Sequence, residues 1–349
     1  MITSELFGTA PCGTPVHRYT LNGPEICVRI MDYGATVLGI DVPDIPGNVR
    51  DVVLGFDKLE DYFDNPACFG ATIGPVANRT AGATITIDGT DWHMPANEGV
   101  NNLHSDLEHG LHKRVWDVEL DEVHNAVRMT TSLEDGELGL PGNRTFTAVF
   151  TVTRTGCFRI EYGCESDRAT YVAMTNHTYF NLAGHNAGMD CEHFFVANAA
   201  TTCPSTSRTS PPARLLRSRA RRLTFASCAP SRLAWRPTIR RLSRHAATTT
   251  ACASMTINTV ATCAAPCMSR RCGPAASWTT TPPPRACSST LAIGWATSTP
   301  RTMPTIAGAP ALPSRQRCTP TRRTSRCSRS IVGPGHPYSN VIEYHFMRH

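Results

Sequence analysis

The stretch "RTFTAVFTVTRTGCFRIEYGC", Arg144 to Cys164, reads as two β-rich runs on either side of an Arg154-Thr155-Gly156 turn. Aromatic and β-branched residues dominate the first run and take every second position, Phe158, Ile160 and Tyr162, in the second, the pattern of a half-buried pleated surface. The reading extends outward in both directions. "EICVRIMDYGATVLGIDV" (Glu25 to Val42) alternates apolar and polar residues around a Tyr33-Gly34 break. "ATITIDGTDWHM" (Ala83 to Met94) sets an Asp-Gly step between two β-rich runs, a strong hairpin signal. "NAVRMTTSL" (Asn125 to Leu133) is a further strand. No segment of residues 1–200 shows a long helical period with caps. Many strands without intervening helices predict an all-β architecture, a sandwich or a barrel.

Charge divides the 349-residue chain in two. The net formal charge of +6 hides −15 over residues 1–200 and +21 over residues 201–349. No Asp or Glu occurs between Glu192 and Glu343, and no Lys after Lys113. The tract "CPSTSRTSPPARLLRSRARRLTF" (Cys203 to Phe225) holds six arginines and no acid. Folded domains mix charges of both signs. A half charged only by arginine, and poor in large apolar side chains, buries little against its chain entropy. Disorder or misfolding is the expectation for the middle-to-C-terminal part. "MITSELFGTAPCG" lacks the basic start and apolar core of a signal peptide, and no run of 18 apolar residues occurs. The expectation is a cytoplasmic protein with free thiols and no membrane partner. Cys263, Cys267 and Cys272 lack a paired CxxC, so no metal site is assigned to them.

Loops between the strands carry specific polar groups. "GPVANRTAG" places Asn78 and Arg79 just before the hairpin, "NNLHSD" places His104 in a loop, and "MTNHTYFNLAG" places His177 ahead of Thr178 and Tyr179. Two histidines, an arginine and a tyrosine suit a site that hydrogen-bonds a polyhydroxylated ligand, and imidazole passes protons near neutrality. On spacing alone each histidine also fits a surface or structural role, and Arg79 fits a loop brace.

The strings "VVLGFDKLEDY", "GPVANRTAGATITIDG", "NNLHSD…GLHKRVWDV", "DGELGLPGNRTFTAVFTVT" and "NHTYFNLAG" resemble, in order, the aldose 1-epimerase (galactose mutarotase) family. "GPGHPYSNVIEYHF" resembles its closing strand. The resemblance covers about the first 200 residues and the last 17 or so. It implies a large antiparallel β-sandwich and interconversion of the α and β anomers of sugars such as galactose and glucose. By motif, His177 resembles the catalytic acid and His104 the second histidine on the sugar. Asn78, Arg79, Thr178 and Tyr179 resemble substrate contacts. Opening a pyranose needs a proton given to the ring oxygen and one taken from the anomeric hydroxyl, so no metal or organic cofactor is required. Two positions depart from the family's pattern: Pro75 stands where Arg is usual, and "LHSD" replaces "LHGG". The resemblance also implies a glutamate base near the C-terminus and an aspartate in "GYDH"; residues 193–342 contain neither.

A shifted reading frame accounts for the missing acids. Joining the last base of each codon to the first two of the next lets Ala246 to Cys252 encode Gly-Tyr-Asp-His-Cys. The same shift makes Thr201 to Arg214 compatible with YLPVDEQNIPTGE and Arg285 to Ala292 with GVQLYTG. All three are strings of the same family, in its order. The expectation is a single mutarotase-like β-sandwich domain over residues 1–349, with residues 198–330 translated out of frame. The leading function is an aldose 1-epimerase acting on a small sugar. A sandwich that binds carbohydrate without turnover is the alternative. A basic polyanion binder is the weaker one, since "RLLRSRARRL" lacks interleaved aromatics for stacking on nucleic acid.

Overall fold

The two runs of the opening stretch become the strands Arg144–Val152 and Cys157–Ser166 in a computed structural model of the chain. The structure describes residues 1–43, 47–187 and 331–348, with the backbone of Phe194–Val196, Thr201–Thr202, Leu216–Arg217, Arg222–Thr224 and Ala253–Val260. In Arg144–Val152 every second side chain is buried, from Arg144 to Val152, and Phe146, Ala148, Phe150 and Val152 form the apolar part of that set. A strand alternates its side chains between two faces, so this spacing aims all four into one core. The turn between the strands pairs them from Val152↔Phe158 to Arg144↔Ser166.

Two antiparallel sheets carry the fold. One is a meander of five strands: Ile2–Thr9, Pro15–Asn22, Cys27–Met31, Thr36–Pro43 and Val49–Asp51. The other has six, in the spatial order Asp117–Asp121, Ala126–Leu133, Arg144–Val152, Cys157–Ser166, Tyr338–Arg348 and Ala253–Val260. A single apolar cluster draws on both. Leu21, Val28, Ile30, Val37 and Ile40 come from the first; Val127, Met129, Phe146, Phe150, Phe158, Ile160 and Tyr344 come from the second. Two sheets that share one core are a β-sandwich, as expected. Helix is confined to one turn, Glu60–Phe63, and three short 3-10 segments among the described residues.

The Asp88-Gly89 hairpin forms between Thr84–Ile87 and Thr90–His93. Both turn residues have positive φ, 49° and 83°, which is the two-residue turn that follows the strand twist. The closing strand is also where the sequence put it. Tyr338–Arg348 pairs with Cys157–Ser166 from Cys157↔His345 to Cys164↔Tyr338, bringing the end of the chain into the middle of the sheet. Within 198–330, Ala253–Val260 lies along the outer side of that strand, from Ala253↔Arg348 to Val260↔Val341. Thr201–Thr202 pairs with Leu216–Arg217, and Arg222–Thr224 with Phe194–Val196. The remainder of that segment lies outside the described residues. So do Cys263, Cys267 and Cys272 and the three latent motifs apart from Thr201 and Thr202. No helix among the described residues is long and apolar enough to cross a membrane. Cys12, Cys27, Cys68, Cys157 and Cys164 are free thiols.

Candidate active site

Short strand pairs at the sandwich margin bring the polar loops together. Thr175–Asn176 pairs with Thr72–Ile73, and the next residue, His177, is fixed by its own backbone. Its N–H donates to the Ala71 carbonyl at 2.9 Å, and its carbonyl accepts from the Gly70 N–H at 3.2 Å. Gly70 has φ +67°, and a Cβ there would lie 1.8 Å from the Val37 carbonyl oxygen. Only glycine permits so close a backbone approach, so Gly70 sets the depth at which the His177 loop sits. Asn176 adds a bond from Nδ2 to the Gly70 carbonyl at 3.0 Å. On the far side, Tyr338 from the closing strand accepts the Met174 N–H at 3.0 Å. The last strand of the chain therefore braces the segment leading into His177.

The second histidine arrives from the opposite direction. Asn102–Leu103 pairs with Arg79–Thr80, which lays the His104 loop along the Asn78 loop. Asn78 donates its N–H to His104 Nδ1 at 3.0 Å, and its carbonyl accepts the His104 N–H at 3.1 Å. With Nδ1 as acceptor, neutral His104 carries its proton on Nε2. Asn78 and His104 both take positive φ, 70° and 58°. Asn78 also accepts the Arg79 N–H on Oδ1 at 2.9 Å. Of the residues that depart from the family's pattern, Ser105 bonds across this junction. Buried Ser105, also at positive φ, accepts the Val76 N–H and donates to the Val76 carbonyl, next to Pro75. Asp106 receives the N–H groups of Glu108 and His109 at 2.7 and 2.9 Å.

The rings then meet. His104 stands edge-on to His177, with centroids 5.3 Å apart and planes at 89°. Tyr179 lies 5.2 Å from His177 and edge-on to Phe69 at 5.0 Å. Arg79 is gripped by Glu98 through Nε and Nη2, leaving Nη1 without a partner among the described residues. Thr178 is placed differently from the expectation of a substrate contact. It is buried, and its hydroxyl donates to Asn176 Oδ1, so its side chain stabilises the loop from behind.

Burial holds the His177 imidazole down to about 4, and its Nδ1 has no partner. His104 is lowered well below its ordinary value, first by burial, then by the charges of His177, His112 and Arg79. Both are neutral at pH 7, each able to donate from one nitrogen and accept at the other. Burial raises Tyr179 to about 12, so its hydroxyl stays a donor. No hydrogen bond or ion pair links a carboxylate to His104 or His177 among the described residues, and Glu98 is committed to Arg79. A cleft of about 630 Å³ opens nearby, lined by residues that include His93, Asp106, Arg114 and Glu137. None of the converging side chains lines it, so the site is defined by their convergence and not by that cavity.

Sequence reading missed Glu98, Phe69 and Tyr338. Glu98 sits in "MPANEGVNN", 19 residues from Arg79, and no spacing rule ties the two. Tyr338 reaches Met174 across 164 residues.

The chain is similar to proteins of known kind. A family described as "Aldose 1-epimerase" matches residues 17–226. The galactose mutarotase of Bos taurus is 34% identical over 204 residues, 58% of this chain and 58% of that protein. The galactose mutarotase of Homo sapiens is 35% identical over 204 residues, again 58% of each. The aldose 1-epimerase of Escherichia coli K12 is 38% identical over 179 residues, 51% of each. The chain thus spans between half and three fifths of the curated relatives it matches. A solved galactose 1-epimerase from Lactobacillus acidophilus superposes with a TM-score of 0.69 at 17% identity, over 100% of this chain and 99% of that one. An aldose epimerase homologue from C. elegans gives 0.62 at 19%, over 94% and 98%. At these identities the two structures bear on the fold.

Proposed function

The chain belongs to the aldose 1-epimerase family, and from that premise we propose that it acts on the anomeric centre of a hexose such as galactose or glucose. The supporting observation is the meeting of His104 and His177 at 5.3 Å, beside Tyr179 and the Asn78–Arg79 turn. A sugar ring over these groups faces two imidazoles, a phenol and a guanidinium nitrogen. His177 is the group proposed to pass a proton to the ring oxygen, and His104 Nε2–H to hold a sugar oxygen. Asn78, Arg79 and Tyr179 orient hydroxyls, and Thr178 positions His177. Once the bond between ring oxygen and anomeric carbon opens, the aldehyde carbon turns and the ring closes on its other face. A positioned acid or base contributes about 10²–10⁴-fold to such a step. The reaction runs in a single domain spanning 1–349, in the cytoplasm, with the sugar as partner.

Full turnover also needs a base on the anomeric hydroxyl. Residues 193–342 supply no carboxylate, and the proposed frame shift over 198–330 is the reason. That absence favours a second reading for the polypeptide as it stands: a sugar-binding sandwich without turnover. Polarimetry of freshly dissolved α-galactose separates the two. Faster mutarotation that His177→Ala abolishes supports the epimerase. Saturable galactose binding without acceleration supports the binder. Neither binding nor acceleration overturns both. Resequencing the gene tests the frame; an uninterrupted frame encoding these residues ends that idea.

A further inference from the structure

We propose that Cys157, Glu343 and His345 form a binding site for a divalent cation of the zinc class, on the closing strand, where Glu343 and His345 alternate with the core residues Ile342 and Tyr344. Cys157 and His345 are direct partners across the Cys157–Ser166 and Tyr338–Arg348 strands. Glu343 precedes His345 by two residues and so shares its face. The three donor atoms all lie within 4.8 Å of one another. Cys157 Sγ is 3.6 Å from His345 Nε2, and that nitrogen is 3.6 Å from Glu343 Oε2.

Those separations suit a tetrahedral centre. With Zn–S of about 2.3 Å and Zn–N of about 2.1 Å, tetrahedral angles put sulfur and nitrogen about 3.6 Å apart. Nitrogen and carboxylate oxygen, each at about 2.0–2.1 Å, fall about 3.4 Å apart, near the observed spacing. Three protein ligands leave a fourth position for water. One sulfur, one imidazole nitrogen and one carboxylate oxygen favour zinc or cobalt over magnesium or calcium, which take oxygen sets.

The surroundings agree in charge and access. Arg159 lies opposite Glu343 and approaches its carboxylate at 3.6 Å, but its Nη2 is held by Glu161 at 2.8 Å. The guanidinium is thereby balanced, leaving the Glu343 carboxylate for a cation. Cys157 is buried, whereas His345 and Glu343 are partly exposed, so an ion can enter from their side. Glu343 and His345 point to the face opposite Ile342 and Tyr344, which pack in the core. The ion would therefore act as a cross-strand staple between the closing strand and its neighbour.

Cobalt(II) titration of the full reduced chain tests the site. The expected result is a thiolate-to-cobalt charge-transfer band in the near ultraviolet that added zinc removes. Cys157→Ser should abolish one equivalent of that band. His345→Ala and Glu343→Gln should each weaken cobalt binding at least about tenfold, since even changes behind metal ligands cost that much. His17→Ala, outside the cluster, should leave it unchanged. The proposal is overturned if no band appears, as for a simple thiol–imidazole hydrogen bond, or if it persists in Cys157→Ser because other cysteines carry it. Should Cys157→Ser fail to fold, full cobalt affinity in both His345→Ala and Glu343→Gln overturns it equally. Galactose binding plays no part in this readout, so its outcome is independent of the sugar-site proposal.

Discussion

Phe146, Phe150 and Phe158 in the six-stranded sheet and Asn102, Ser105 and Asn176 around the site are all essentially shielded from solvent. The phenylalanines need only be apolar and fill their space. The polar residues each carry named partners: Asn102 Nδ2 reaches the Pro95 carbonyl at 2.7 Å, and its Oδ1 receives the Ser105 N–H at 3.1 Å. The sheet is therefore held by burial, which adds over many residues and tolerates substitution by shape. The loops are held by directional bonds, where one lost partner strands another buried polar group. The sheet supplies stability, and the loops spend part of it on residues at positive φ, among them Asn78, His104 and Ser105.

The largest effect should fall in the sheet. Phe150→Ala removes a fully buried ring that stacks on Phe158 at 6.3 Å. It should cost about 3–5 kcal/mol in urea unfolding. A cost below 1 kcal/mol would mean that this face of the sandwich is not packed.

Acid should act next, and through the site. The folded pKa of His177, and that of buried His112, is held down to about 4 by burial. Between about 6.5 and 4 the unfolded chain binds protons that these two folded imidazoles refuse. Their contribution is thus fully present above pH 6.5 and is lost as pH falls toward 4, by at most about 3 kcal/mol for each. Urea midpoints measured from pH 7 to pH 4 should decline with that slope. His177→Asn should flatten the decline while Phe150→Ala leaves its shape intact.

Asn102→Ala probes the polar side of the comparison. It strips the Ser105 N–H and the Pro95 carbonyl of their partners and should cost about 1–3 kcal/mol. Galactose affinity should fall along with stability, because Ser105 adjoins His104. Retained affinity in a destabilised Asn102→Ala protein would separate loop order from the site.

The smallest change in stability is expected for Glu98→Gln, which loosens a partly exposed pair with Arg79 by roughly 1 kcal/mol or less. Its readout is sugar affinity. If Glu98 aims the Arg79 fork, binding weakens while the unfolding midpoint hardly moves.

Much of the fold was legible before any coordinates. Alternation in Arg144–Val152, the Asp88-Gly89 turn and the closing Tyr338–Arg348 strand appear where local pattern put them, because side-chain period and turn conformation are properties of neighbouring residues. The candidate residues were legible as types: histidines, an arginine and a tyrosine in loops. Which of them face one another was not, since Thr178 and Tyr179 are adjacent in sequence yet one is buried behind the loop and the other lies beside His177.

By itself the sequence determined the β class, the charge divide at about residue 200 and the absence of acids between Glu192 and Glu343. Only the tertiary structure decided that Glu98 holds Arg79, that Tyr338 supports Met174, and that Cys157 meets His345 across 188 residues. The reason is physical. Periodicity is written over a few neighbouring residues, whereas a buried hydrogen bond or donor cluster is chosen by strand register, which emerges when the whole sheet pairs.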